Sequence, residues 1–169
     1  LYGSDNGGVY GFMVEGFPMF GFPFSTDGDV RSSPAVADLE NDGSNEILFG
    51  SNDGTLYALN SLGVEVISFQ QSGMINGSPA VIDLDQDGDR EIIFVSYNGN
   101  NSDGQVYAIH HDGTEVDGFP VDLDERMMAG PAVGDLDGDG YPEMVVCTWG
   151  ENIYALRHDG SIMDGFPYE

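Results

Sequence analysis

SPAVADLENDGSNEILFG at 33–50, SPAVIDLDQDGDREIIFV at 78–95 and GPAVGDLDGDGYPEMVVC at 130–147 are three copies of one pattern. Self-similarity at a long, nearly fixed period marks a repeat architecture, so it governs every local reading that follows. A second block trails each copy: GTLYALNSLG at 54–63, GQVYAIHHDG at 104–113 and ENIYALRHDG at 151–160. Pro34 and Pro79 are 45 residues apart, and Pro79 and Pro131 are 52 apart. Most of the excess falls in the polar stretch SYNGNNSDGQ at 96–105, which reads as a loop insertion. The segment LYGSDNGGVY at 1–10 aligns without a gap to LFGSNDGTLY at 48–57, so the chain opens on a fourth copy that lacks its beginning.

Each unit holds four short β-rich runs separated by turn residues; in the first full copy these are PAVAD, EILFGS, TLYALN and VEVISF. Four strands per unit, with no helical period, predict an all-β fold of four-stranded antiparallel β-propeller blades. The expected division is a partial blade at 1–31 and blades at 32–76, 77–128 and 129–169, as one segment of a larger ring. The apolar AV, IL or II, and YAL positions are expected to pack between neighbouring blades. A Gly-Phe-Pro follows eleven residues after the tyrosine at 21–23, 118–120 and 165–167, with Ser-Phe-Gln at 68–70 in its place. Its proline suits an outermost strand, which can give up a ladder donor, and its phenylalanine suits a plug between blades.

Composition narrows the partners. Thirty acidic residues face four arginines, Arg31, Arg90, Arg126 and Arg157, for a formal charge of −26. Such a surface repels nucleic acid and anionic membrane, and no apolar run is long enough to insert into a bilayer. One cysteine, Cys147, excludes an internal disulfide; its apolar neighbours Val145 and Val146 predict a buried side chain.

The carboxylates are clustered. Between the first two strands of each full unit the spacing DxDxDGxxE, or a close variant, places Asp38, Glu40, Asp42 and Glu46; Asp83, Asp85, Asp87 and Glu91; and Asp135, Asp137, Asp139 and Glu143. Acids at positions 1, 3 and 5 of a tight loop can converge on one hard cation. A glycine at 6 permits the turn, position 7 (Ser44, Asp89 or Tyr141) offers a backbone carbonyl, and the acid at 9 closes the shell. Oxygen donors without paired Cys or His favour calcium, so about three structural Ca2+ sites are expected. The first loop, with Glu40 where the others have aspartate, departs most from the pattern.

With these loops, LFGS at 48–51 and the SPAV or GPAV lead-ins, the chain resembles the FG-GAP or VCBS repeats of integrin-α-like propellers. The resemblance implies a calcium-binding propeller that is extracellular, secreted or on a cell surface and bacterial, serving cell adhesion, carbohydrate or protein binding, or scaffolding within a larger chain. The alternative is a segment of a calcium-dependent propeller polysaccharide lyase or another carbohydrate-active enzyme.

No catalytic residue stands out. His111 and His158 share one repeat position where Ser61 stands in the first copy, and His110 aligns with Asn60 and Arg157. In an up-and-down blade the first and third hairpins share one end. The acidic loops therefore mark one face, and Tyr97 and Trp149 fall on the opposite one as candidate ligand-stacking aromatics, near Met74, Ile75, Met127 and Met128.

Overall fold

Short apolar runs bounded by glycine and aspartate give fourteen strands and no helix in the computed structural model, which describes residues 1–99 and 103–168. The first sheet contains β1 (Tyr2–Gly3), β2 (Gly8–Tyr10) and β3 (Phe24–Ser25); the second contains β4 (Ala35–Ala37), β5 (Glu46–Gly50), β6 (Thr55–Leu59) and β7 (Glu65–Gln70). The third contains β8 (Ala80–Ile82), β9 (Glu91–Tyr97), β10 (Gly104–Ile109) and β11 (Val121–Asp122); the fourth contains β12 (Ala132–Gly134), β13 (Glu143–Cys147) and β14 (Ile153–Leu156). Every sheet runs in chain order with antiparallel neighbours, the meander of a propeller blade. In the fourth sheet a bridge between Ile153 and Tyr168 stands where the outermost strand lies in the others. Residues 100–102 of the insertion lie outside the described residues.

Proline shapes the outer edges. Pro23 and Pro120 stand immediately before β3 and β11, each only two residues long, whereas the unit with Ser68–Phe69–Gln70 runs β7 over six. A proline has no N–H to give the ladder, so pairing starts only after it. The adjoining Phe22 and Phe119 are buried, each in a cluster that spans two sheets.

The core is divided into three clusters, each lying between two consecutive sheets. Val9, Phe22 and Val30 pack on Ile47, Phe49 and Leu59; Leu48, Leu56, Ala58 and Ile75 pack on Ile92, Phe94, Tyr107 and Ile109; Ile93, Val95, Val106 and Ala108 pack on Met144, Val146, Tyr154 and Leu156. Successive side chains on a strand point to opposite faces, so a fully apolar run such as Ile92–Ile93–Phe94–Val95 feeds two cores alternately. Aromatic geometry repeats as well. Phe49 stacks on Tyr57 at 5.4 Å with Phe24 edge-on, and Phe94 stacks on Tyr107 at 5.0 Å with Phe69 edge-on.

The arc is open among the described residues, because none of the three core clusters joins the first sheet to the fourth. Its last sheet shows what that leaves uncovered. Leu39 and Leu84 are 2 % and 1 % exposed, but Leu136 at the same repeat position is 54 % exposed. Cys147 corrects the expectation of burial: it is exposed, although Val95, its counterpart in β9, is buried. Val95 is covered by Met127 of the connection to the next sheet, and Cys147 faces outward from the arc with no such cover among the described residues.

Candidate metal site

The three acidic loops share a backbone. Position 4 takes a left-handed conformation in each (Asn41 φ 53°, Gln86 φ 63°, Gly138 φ 81°), and so does the glycine at position 6 (Gly43 φ 93°, Gly88 φ 103°, Gly140 φ 97°). That double reversal folds the carboxylates inward and is why glycine stands at position 6. The N–H of position 7 donates to the aspartate at position 5 each time, from Ser44 to Asp42 at 2.7 Å, Asp89 to Asp87 at 2.9 Å and Tyr141 to Asp139 at 2.8 Å. The glutamate at position 9 opens the second strand of each unit. One of its oxygens accepts from the N–H of position 2: Leu39 to Glu46 at 3.2 Å, Leu84 to Glu91 at 2.7 Å and Leu136 to Glu143 at 2.7 Å. The other oxygen is left for a ligand or a neighbouring side chain.

Convergence differs among the loops. In the second, Asp83, Asp85 and Asp87 each bring an oxygen within 4.8 Å of the others, and Asp85, Glu91 and His110 do the same. In the third, Asp135, Asp137 and Glu143 converge, and Asp139 stands outside that group. The first loop forms no such group, and its Glu40 is exposed.

The donors fit a hard cation. Asp83 Oδ1 is buried without a hydrogen-bond partner, an arrangement a coordinated ion relieves. Burial, with the charges of Glu40, Asp42 and Asp38 adding to it, pushes the Glu46 carboxyl up; burial also pushes Glu91 up, against the hydrogen bonds from Leu84 and His110. A bound cation is the direct remedy for carboxylates held in such surroundings. Calcium would be held by Asp83, Asp85, Asp87 and Glu91 in the second loop and by Asp135, Asp137 and Glu143 in the third.

On the opposite face Tyr97 and Trp149 come together through a residue that the sequence did not single out. The Arg126 guanidinium lies 4.7 Å from the Tyr97 ring centre and 4.2 Å from that of Trp149. Tyr97 is 5 % exposed and Trp149 63 %, so the tyrosine closes the gap between units and the indole faces solvent. Ile75 and Met127 are buried beneath the same connections. Beside Arg126, Glu125 accepts hydrogen bonds from Thr148, from Asn152 at 2.7 Å and from Tyr154 at 2.8 Å, all in the fourth sheet or its hairpin. No repeat signal could have flagged Arg126 or Glu125, because Met74 and Gly73 hold their positions in the preceding unit.

Known proteins agree with this geometry. Residues 83–146 match the FG-GAP-like repeat, and residues 4–80 match the lambda-carrageenase β-propeller domain. No curated protein matches the chain. Among solved structures it is similar to the C-terminal domain of Pseudomonas aeruginosa PilY1, with 16 % identity over 91 % of this chain and 37 % of that one, at a TM-score of 0.68. It is also similar to BBS1N, solved in complex with ARL6DN and soaked with lead, with 16 % identity over 94 % of this chain and 47 % of that one, at a TM-score of 0.62. The chain thus spans less than half the length of either. Four meandering sheets, cores set between them and the two sequence matches show a row of β-propeller blades that includes an FG-GAP-like repeat at residues 83–146.

Proposed function

We propose that the chain is a calcium-stabilised segment of a secreted β-propeller that serves binding, adhesion or scaffolding in a larger protein. The observation that carries this reading is the threefold loop backbone, with oxygen ligands drawn together in its second and third copies. Self-repulsion at a charge of −26 opposes the compact state, and a divalent ion in each loop offsets it where the carboxylates are densest. The ligand-binding surface belongs on the face away from the loops, where Trp149 is an exposed aromatic. A protein or carbohydrate partner suits that face, and the remaining blades of the parent chain continue the arc.

The match of residues 4–80 to the lambda-carrageenase propeller supports a second reading, in which the parent is a carbohydrate-active enzyme and this segment is its scaffold. No residue of this chain is assigned to catalysis in either case.

Calorimetric titration of chelator-stripped protein with calcium, with magnesium as the control, tests the first reading. Two or three sites and a calcium-specific rise in Tm are expected; no uptake at millimolar calcium overturns it.

A further inference from the structure

The second acidic loop is faced by a donor that the other two lack. His110, the residue after β10, brings Nδ1 to 3.2 Å from Glu91 Oε1, and both lie within 4.8 Å of an Asp85 oxygen. Glu91 is fully buried and its other oxygen is already bonded to the Leu84 N–H. The repeat makes the contrast sharp, because Asn60 and Arg157 hold the His110 position beside the first and third loops. At this separation the imidazole either donates an Nδ1–H to the carboxylate or, with its proton on Nε2, turns an Nδ1 lone pair toward it and shares a metal ion with it.

We infer that Asp85, Glu91 and His110 form a mixed nitrogen–oxygen site for a borderline first-row dication of the zinc class, which competes with calcium for Asp85 and Glu91 in the second loop and is distinct in preference from the all-oxygen third loop. The inference deepens the proposed metal-binding role and rests on the same loop fold. Imidazole is a favourable ligand for zinc and its neighbours and a poor one for calcium, which takes oxygen. Two donors on one zinc at ~2.0–2.2 Å sit roughly 3.3–3.6 Å apart, close to the distance from His110 to Glu91. With the proton on Nε2, Nδ1 presents its lone pair to the ion. Access is open: a cleft of about 370 Å³ between the third and fourth sheets is lined by Asp85, His110, Glu115, Asp117, His158 and Asp159. Its acidic rim concentrates cations at the entrance.

The test uses Co2+ as a spectroscopic stand-in and Zn2+ by calorimetry, on the full chain and on His110→Asn, which places here the residue the first unit already carries. The wild type is expected to give a visible cobalt band that the variant lacks. Zinc affinity is expected to drop at least about tenfold in the variant, with calcium uptake by the third loop unchanged. Equal cobalt spectra and equal zinc affinity in the two proteins overturn the inference. Should calcium still bind in that case, the calcium reading survives alone; should calcium fail to bind while the cobalt band depends on His110, the opposite holds. If the variant does not fold, the histidine proton resonances of the wild type decide. One of the three shifting at the first equivalent of Zn2+ supports the site, and a uniform response of all three overturns it.

Discussion

Glu151 occupies a turn position where the repeat elsewhere uses glycine. It lies three residues before Tyr154, as Gly7 and Gly54 lie before Tyr10 and Tyr57, and its φ of 67° matches their 75° and 91°. A side chain in that region costs about 1–2 kcal/mol, and glycine gives back part of the gain as entropy of the unfolded chain. Glu151→Gly is therefore expected to stabilise the protein by roughly 0.5–1 kcal/mol, read as a higher midpoint in urea; a lower midpoint contradicts the strain argument. Glu125 illustrates the reverse situation. Burial works against its charge, but the hydrogen bonds from Thr148, Tyr154 and Asn152 outweigh it and hold the carboxyl below its ordinary range. A depressed carboxyl contributes stability that is present above its unfolded pKa and lost as the pH falls through the folded one. Glu125→Gln is expected to cost about 1–3 kcal/mol at neutral pH, and the gap between variant and wild-type urea midpoints should narrow in acid below about pH 4. A gap that stays constant with pH would show that charge is not what the three donors recognise.

Leucine at the second position of the acidic loop tests the arrangement of strands into packed sheets. Leu84 is buried beside Met144 and Val146 of the next sheet, and Leu136, at the same place in the repeat, is 54 % exposed among the described residues. Leu84→Ala is expected to cost about 2–5 kcal/mol and Leu136→Ala under about 1 kcal/mol, measured by chemical denaturation of the two variants in parallel. Equal losses would mean that the face of the fourth sheet is covered in solution. The strands themselves were legible in the sequence, since alternation and glycine punctuation recur in register in every unit, and so was the loop motif with its ninth-position glutamate. Cys147 was misjudged because its neighbours in sequence are apolar, while no described residue covers it in space as Met127 covers Val95. The contacts of His110 with Glu91, of Arg126 with Tyr97 and Trp149, and of Glu125 with the next hairpin went unseen for a related reason. Self-comparison aligns like positions in different units, whereas these contacts join unlike positions across strands or across the gap between sheets.

For the whole molecule, charge makes pH and calcium opposing controls. Burial raises the Glu46 and Glu91 carboxyls above their ordinary value, so the folded state takes up protons there more readily than the unfolded chain. Their contribution favours folding below that value and is lost as the pH rises through the folded pKa. Metal-free protein is thus expected to lose Tm as the pH rises above the ordinary carboxylate range, while protein in millimolar calcium holds or gains Tm over the same rise because the ion requires ionised carboxylates. Thermal melts across that rise, with chelator and with calcium, check this; parallel curves would sever the link between the loops and stability. The spacing of the cores has a consequence of its own. Sheets in this arc are like fence posts and cores like the gaps between them, so four sheets enclose three cores. Joining the two outermost faces of any such row adds a core without adding a strand. The final blade to dock in a propeller therefore gains two interfaces at once, which makes ring closure the most cooperative step of assembly and an unclosed row the form most open to exchange.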